Sequence, residues 1–492
     1  MSEEDLYQAR LAKLDALRAK GVEPWPPRFD RTHHAAELHE DFTDLGAGED
    51  TGTQVRVAGR IRSSRVQGKL AFGDLADASG TIQLFVTGEA VAFFDSLDVG
   101  DIVGVSGEVV RTKRGELSVR TEDVVLLAKA LRAPPDDWYG LHDTELRYRQ
   151  RYLDLIANPD SRRIARVRSE TIRASRDFFD SRGFFEVETP VLQPIPGGGT
   201  ATPFVTHFDA IGTDMFLRVA PELYLKRLIV GGMEKVYEVA RNFRNEGIGF
   251  KYNPEFTMLE AYEAYADYHD MMELTQSLIH TAAQEAIGTT NVSFRGHDFD
   301  LGGEWRRVTM IDLVREATGE DISLDSSTDQ LRQIAKARDV EIEEWWGTGE
   351  LIGQLYDKVA EPTIVEPTIV YDYPKEISPL ARTHRDDPRL VERFEVVVCG
   401  MEIGNHFSEL HDPVEQRRRF DSQMEARARG DTEANPLDED YLKALEYGMP
   451  PTGGLGVGID RLVMVLTGAP TIREVILFPA LRPQKDDDQE GT

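Results

Sequence analysis

A chain of 492 residues with 40% apolar side chains is too long for a single core and too apolar for global disorder, so more than one folded domain is expected. No apolar run reaches the ~18 residues of a membrane-spanning helix, and the lone Cys399 excludes an internal disulfide or a cysteine metal cluster and fits a reducing cytoplasm. A net charge of −30 argues against sequence-blind affinity for nucleic acid, yet residues 50–132 balance eleven basic against eleven acidic residues and leave a local polyanion site open there.

In chain order, residues 1–49 read as a helical extension: a mixed-charge amphipathic pattern without the apolar stretch of a signal peptide, ending near Gly21 before the Pro-rich VEPWPPRF. Over 50–132 short alternating runs (VRVAGRI, LAFGDLAD, GTIQLFV, DIVGVSGEVV, ELSVRTEDVVLL) recur at the spacing of a five-stranded barrel. Arg60, Arg62, Arg65 and Lys69 interleave there with Phe72, Gln83 and Phe85, a pattern suited to stacking and reading single-stranded nucleic acid. Phe85 is expected in the barrel core. Residues 133–145 form the expected linker and 146–484 a larger domain. Its first helix ends at Gly183, a strand runs into Pro190, a second helix covers 266–286, and a helical insertion lies around 309–360. Cys399, in FEVVVCG, is expected on a buried strand, and 485–492 as a disordered tail.

Two segments of the larger domain carry chemistry. FRNEGIGFKYNPEFTMLEAY (243–262) spans about two strands' length around a Gly-containing turn. Arg244 can fork onto a carboxylate or phosphate. At period two, Arg244 shares a strand face with Glu246, and Glu260 shares one with Tyr262. A solvated hairpin explains each residue singly, but the set reads as a nucleotide cradle. In GGLGVGIDRLVMVLTG (453–468) a Gly-rich strand runs through Arg461 into a helix. No acidic residue follows at the distance a dinucleotide fold needs, so the glycines instead let a nucleotide lie against the strand.

The helix and strand ending at Pro190, the Arg244 hairpin and the Gly-rich segment resemble, in that order, motifs 1, 2 and 3 of class II aminoacyl-tRNA synthetases. PGGGTATPF, RVAPELYLKRLIVGGMEKVYE, DYPKEISPLAR, FEVVVCGMEIGNHFSELHDP and GLGVGIDRL narrow the resemblance to the lysyl-tRNA synthetases over nearly the full length. The implied class is α+β: an N-terminal OB-fold barrel plus a catalytic domain with an antiparallel six- or seven-stranded sheet flanked by helices.

The resemblance implies that Gly198 and Glu222 hold the α-amino group of L-lysine, Arg244 and Asn405 its α-carboxylate, and Glu409 and Tyr262 its ε-ammonium, with Glu260 behind them. Acids suit such a substrate, because a buried cation requires opposite charge and full hydrogen bonding. For ATP it implies Arg244, Asn245, Glu246, Tyr252, Asn253, Glu402 and Ile403, then Gly458, Ile459, Asp460 and Arg461. Glu395 and Glu402 would bind Mg2+. Arg244, Glu246 and Arg461 would be catalytic, with no protein nucleophile; period-two geometry points His406 away from the pocket. Phe72, Gln83 and Glu122 would read the tRNA(Lys) anticodon, with Ser64 and Arg65 where relatives carry one arginine. A cytoplasmic homodimer, free of membranes, is implied as well. The chain departs from the family at Lys251-Tyr252, where Arg-His is usual, and at Thr202, where Arg is usual. An aspartyl or asparaginyl synthetase, a lysyl ligase acting on a protein, and a non-catalytic RNA-binding protein on the same fold are the alternatives. The acidic pocket opposes the first, the barrel the second, and Arg244, Glu246, Glu402 and Arg461 the third.

Overall fold

Apolar residues at alternate positions dictate a barrel over the first third of the chain. In the computed structural model, which describes residues 2–135, 141–199, 201–429 and 436–483, the chain forms two compact units that part between Asn158 and Pro159. The expected tail and residues 136–140 of the expected linker lie outside the described residues.

In the first unit, α1 (Glu3–Ala19) begins at a Ser2–Asp5 capping box and gives way to Gly21, where φ is 77°. α2 (Ala35–Asp41) follows. β1 (Asp50–Gln67), β2 (Leu70–Ala76), β3 (Thr81–Thr87), α3 (Ala90–Asp95), β4 (Ile102–Arg111) and β5 (Leu117–Ala128) complete a closed barrel of strand order β1-β2-β3-β5-β4. Leu17, Ala35 and Leu38 of the two leading helices share the barrel core with Leu75, Leu84 and Val105, so the first 49 residues cover the barrel rather than extend from it. Burial alternates along β2 and β3: Ala71, Leu75, Ile82, Leu84 and Val86 point in, while Phe72, Gln83 and Phe85 point out. Phe85 therefore does not join the core. It is two residues from Gln83, and period two puts both on the outer face. α4 (Thr144–Arg149) and α5 (Arg151–Ala157) also belong to this unit, which ends later than the expected boundary at 145. Arg62 donates to the Ile156 carbonyl (2.5 Å) and Arg60 to that of Gly100 (2.7 Å), so these two arginines brace the unit.

The second unit opens with α6 (Pro159–Asp180), which buries Ile164, Val167, Thr171, Ala174 and Phe178 at helical spacing and stops before Gly183. Next come β6 (Phe185–Glu186), β7 (Leu192–Gln193), β8 (Val205–Phe208), β9 (Thr213–Leu217) and α7 (Glu222–Val230). β10 (Lys235–Phe243), β11 (Glu255–Ala264), α8 (Tyr268–Ile287) and the hairpin β12 (Asn291–Phe294) with β13 (His297–Asp300) follow. β14 (Arg306–Thr309) leads through α9 (Met310–Thr318), α10 (Thr328–Lys336) and α11 (Thr348–Leu355), a helical insertion with its own core at Leu313, Leu331 and Leu351. The chain returns as β15 (Thr368–Pro374), β16 (Leu390–Val398), β17 (Met401–Ser408), α12 (Pro413–Ala428), α13 (Glu439–Glu446), β18 (Thr452–Gly458) and α14 (Ile459–Thr467). Six antiparallel strands, β15-β16-β17-β18-β11-β10, form the centre of the main sheet, and the short β14 and β6 add in parallel at its edges to make eight. α6, α8 and α14 cover one face, where Phe179, Ile279 and Leu462 pack on Tyr237, Leu259 and Leu455.

Two local expectations change. β10 stops at Phe243 and β11 starts at Glu255, so Arg244 and Glu246 lie in a loop and not on a shared strand face. Pro254 lacks the N–H that would extend the ladder. Cys399, with φ 48°, and Gly400, with φ 64°, form the two-residue turn between β16 and β17, so the buried cysteine is a turn residue. No described helix is long and apolar enough to cross a membrane.

The barrel unit holds a fully buried ion pair: Asp101 accepts from Lys129 Nζ (2.8 Å) and from the Ala130 and Asp98 N–H groups (both 2.8 Å). Asp101→Ala leaves the Lys129 ammonium underpaired and should cost about 3 kcal/mol, seen in urea unfolding of the whole chain as an earlier barrel transition.

Candidate active site

Because side chains alternate across a strand, the face of the main sheet opposite the helices carries Glu260 and Tyr262 from β11, Arg393 and Glu395 from β16, Asn405 from β17, and Gly454, Gly456 and Gly458 from β18. An irregularity in the β16–β17 register brings Glu402, three residues before Asn405, to the same cavity. α7 supplies Glu222, the loop after β10 supplies Arg244, Glu246, Tyr252 and Asn253, and the first turn of α14 supplies Arg461. All of these line one cavity, together with Gly198, Glu409, Ile403, Gly458 and Asp460. Every residue expected to hold lysine is thus at one site.

One end is acidic. Glu222, Glu260 and Glu409 are 6%, 4% and 1% exposed. Tyr262 Oη donates to Glu260 Oε2 (3.2 Å). Burial, with Glu222 next to it, pushes the Glu260 carboxyl up to about 8; burial also takes Glu409 to about 8, with Lys226 pulling the other way. Lys226 on α7, missed in the sequence, is fully buried between them. It donates to Glu222 Oε1 (2.6 Å) and pairs with Glu409 Oε2. That second contact is off hydrogen-bond geometry, and Glu409 Oε1 has no hydrogen-bond partner among the described residues. The glycines set the fit: a Cβ on Gly454 would collide with Glu409 Oε1, and one on Gly198, where φ is 84°, would come within 2.9 Å of Glu222 Cβ.

The middle is cationic. Arg244 makes one long hydrogen bond, to the Val219 carbonyl (3.5 Å), and lies over Phe256 (5.2 Å), so most of its fork stays available. Arg393, also missed, donates to Asn405 Oδ1 (3.1 Å), Glu395 Oε1 (2.6 Å) and Ser378 Oγ (2.9 Å). Its bond to Oδ1 leaves the Asn405 amide N–H groups for a carboxylate. The signal was the R-F-E spacing, which puts Arg393 and Glu395 on one strand face.

At the far end Arg461 donates to the Glu402 carbonyl (2.7 Å) and carboxylate (3.0 Å) and lies 5.4 Å over the Tyr252 ring. Lys251 donates to Glu361 (3.0 Å). Burial disfavours the charge of Glu402, but Arg461 and Arg393 outweigh it and hold the carboxyl below its usual range. Burial, against Arg393 but helped by Glu402 and Glu361, takes Glu395 up to about 7. Among the described residues no group of three or more side chains is arranged to hold a metal. Two crowded carboxylates still fit a hard dication bound mainly through phosphate oxygens.

Some expected ATP contacts sit differently. Asn245 is exposed outside the cavity, its N–H spent on the Thr202 carbonyl (2.8 Å), and Ile459 is wholly buried in the core. Asp460 lines the cavity, but its carboxylate accepts from the Thr257 N–H (2.6 Å) and pairs with Arg168 of α6. The Asn253 amide braces its loop by bonding the Glu255 carbonyl (2.6 Å) and the Ala480 N–H (3.1 Å). His406 faces the helices, stacked on Phe394 (4.3 Å), and burial holds its ring neutral with a pKa of about 3.

On the barrel, Phe72 and Phe85 stack at 5.2 Å and 10° on the outer face, with Arg65 5.9 Å from the Phe72 ring. Gln83 accepts from Ser118 (3.0 Å), and the exposed Glu122 accepts from Gln54 (3.0 Å).

Comparison with known proteins agrees with this layout. A family profile described as tRNA synthetases class II (D, K and N) matches residues 143–482, and one described as OB-fold nucleic acid binding domain matches 55–127. A lysine–tRNA ligase from Carboxydothermus hydrogenoformans is 49% identical over 98% of this chain and 98% of its own. One from Moorella thermoacetica is 49% identical over 99% of both, and one from Bacillus subtilis 48% identical over 97% of both. With a barrel, a six-stranded antiparallel centre and this acid-lined cavity in place, the chain belongs to the class II tRNA synthetases of the aspartate, lysine and asparagine group, in the lysine–tRNA ligase family.

Proposed function

We propose that this protein activates L-lysine with ATP, releasing pyrophosphate, and transfers the lysyl group to the 3′ end of tRNA(Lys). The observation that carries this reading is the buried cluster of Glu222, Glu260 and Glu409 beside the open fork of Arg244. Burial holds Glu260 and Glu409 up to about 8, so the site by itself is close to neutral, and the two acids can ionise against the two ammonium groups of the substrate while Arg244 suits its single carboxylate. An aspartate side chain would add a like charge there.

In this reading a lysine carboxylate oxygen attacks the α-phosphorus of ATP, the bond to the bridging oxygen breaks, and pyrophosphate leaves. The terminal ribose hydroxyl of tRNA then attacks the lysyl carbonyl, and AMP leaves. Arg244 orients the carboxylate and offsets charge at the α-phosphate, and Arg461 does so at the leaving group. Glu395 and Glu402 would hold the Mg2+, which would supply further neutralisation of the triphosphate. The Phe72–Phe85 stack, with Gln83 and Glu122, takes the anticodon. The reading includes a cytoplasmic homodimer, for which the exposed Phe185, Leu192, Val205 and Ile211 supply apolar surface.

Amino-acid-dependent ATP–pyrophosphate exchange tests the reading: lysine should support it, and aspartate and asparagine should not. Exchange driven by another amino acid would overturn it. Glu409→Gln should raise the KM for lysine about 100-fold, as expected for losing one member of a buried charge pair, and leave that for ATP nearly unchanged. Because the Glu409 carboxyl sits at about 8, its charge is lost as pH falls through that value. Hence kcat/KM for lysine should decline below it in the natural chain, and Glu409→Gln should make that limb shallower, leaving the part that Glu260 contributes. Tyr252→His, beside Arg461, should change the KM for ATP severalfold and not that for lysine; an unaltered ATP requirement would remove Tyr252 from the ATP site.

A further inference from the structure

The lysine-binding end of the cavity already contains a lysine of the chain itself. Lys226 stands one helical turn after Glu222 on α7 and is completely enclosed, behind the cavity wall and not on it. Its Nζ takes Glu222 Oε1 and Glu409 Oε2. Among the described residues no hydrogen bond reaches the other oxygen of either acid. Glu409 Oε1 is buried without a hydrogen-bond partner, on the side where Gly454 makes room.

Resting on the function proposed above, we propose that Lys226 is a positioning residue for substrate lysine: an internal counter-ion that pins one oxygen of Glu222 and one of Glu409 and turns the other oxygen of each toward the substrate's two ammonium groups. The two acids come from different places, α7 and the residue just after β17, and a single ammonium is the only group bridging them among the described residues. Other groups close to the trio are Glu260 and Tyr262 of β11 and Tyr441 of α13, whose buried hydroxyl has no hydrogen-bond partner. None of these brings a second cation. Burial disfavours the charge of Lys226, but Glu222 and Glu409 outweigh it and keep the ammonium protonated. Lys226 in turn lowers the Glu409 carboxyl. Without it the carboxyl would stay neutral to still higher pH.

Lys226→Met keeps the length and removes the charge. The expected result is a KM for lysine at least tenfold higher, a KM for ATP within twofold of the natural value, and the acid limb of kcat/KM for lysine moved to higher pH. Should that variant not fold, Lys226→Gln, which keeps a donor for Glu222 and lacks the charge, is read in the same way. Equal rises in both KM values, or an unmoved acid limb in the folded variant, would reduce Lys226 to packing and overturn the proposal. Failure of the natural chain to carry out lysine-dependent exchange would overturn the proposed function instead, so the two failures are told apart.

Discussion

Negative charge buried on one face of a sheet is the constraint around which the second unit is organised. Removing a carboxylate from water costs several kcal/mol unless opposite charge and hydrogen bonds replace the solvent. Four acids of the cavity meet that demand with a cation: Lys226 of α7 for Glu222 of the same helix and for Glu409 just after β17, Arg393 for Glu395 on the same strand β16, and Arg461 of α14 for Glu402 of β17. Lys226 and Arg461 therefore tie the sheet to α7 and α14 while setting the carboxylates in place. Compensation is incomplete at Glu260, whose nearest donor is the Tyr262 hydroxyl, and at Glu409 Oε1. Those are the points where a cationic ligand has most to offer.

Such a face is tolerable because its reverse is so apolar. The same strands that present Glu260, Glu395 and Asn405 to the cavity present Leu259, Phe394 and His406 to α6, α8 and α14. Alternation at period two lets one strand serve both purposes. It also settles His406, which is one residue from the cavity-lining Asn405 yet neutral and stacked among helices.

The period-two signal is why much of the site could be read from the residues. Glu260 with Tyr262, and the pointing of His406, followed from strand parity. The barrel followed from five alternating runs separated by turn residues. Parity failed where the chain leaves the strand: Arg244 and Glu246 lie in a loop whose path is fixed by Pro254 and by the Asn245 bond to the Thr202 carbonyl. For Phe85 parity holds, since it shares the outer face with Gln83, and it is the expectation from residue type that fails. Lys226 was invisible for another reason. A lysine in a helix normally reads as solvated, and only the spatial approach of Glu409 from just after β17 makes it an internal counter-ion.

The barrel resolves the tension between an acidic chain and a nucleic-acid-binding profile. Across its outer face Arg65, Phe72, Phe85 and Arg120 fall in register on four neighbouring strands. Arg120 is held by Asp50 and Glu108, and Arg60 and Arg62 are spent on carbonyls. Arg65, beside the Phe72 ring, and Lys69 are exposed and are the cations left there for phosphates among the described residues, so the stacked rings and a small number of charges would share any contact with a base. Binding through stacking releases few counterions and depends less on salt than a polybasic groove does. A neutral barrel with an aromatic face can thus take a short single-stranded loop while the −30 charge of the chain discourages indiscriminate contact with longer polyanions.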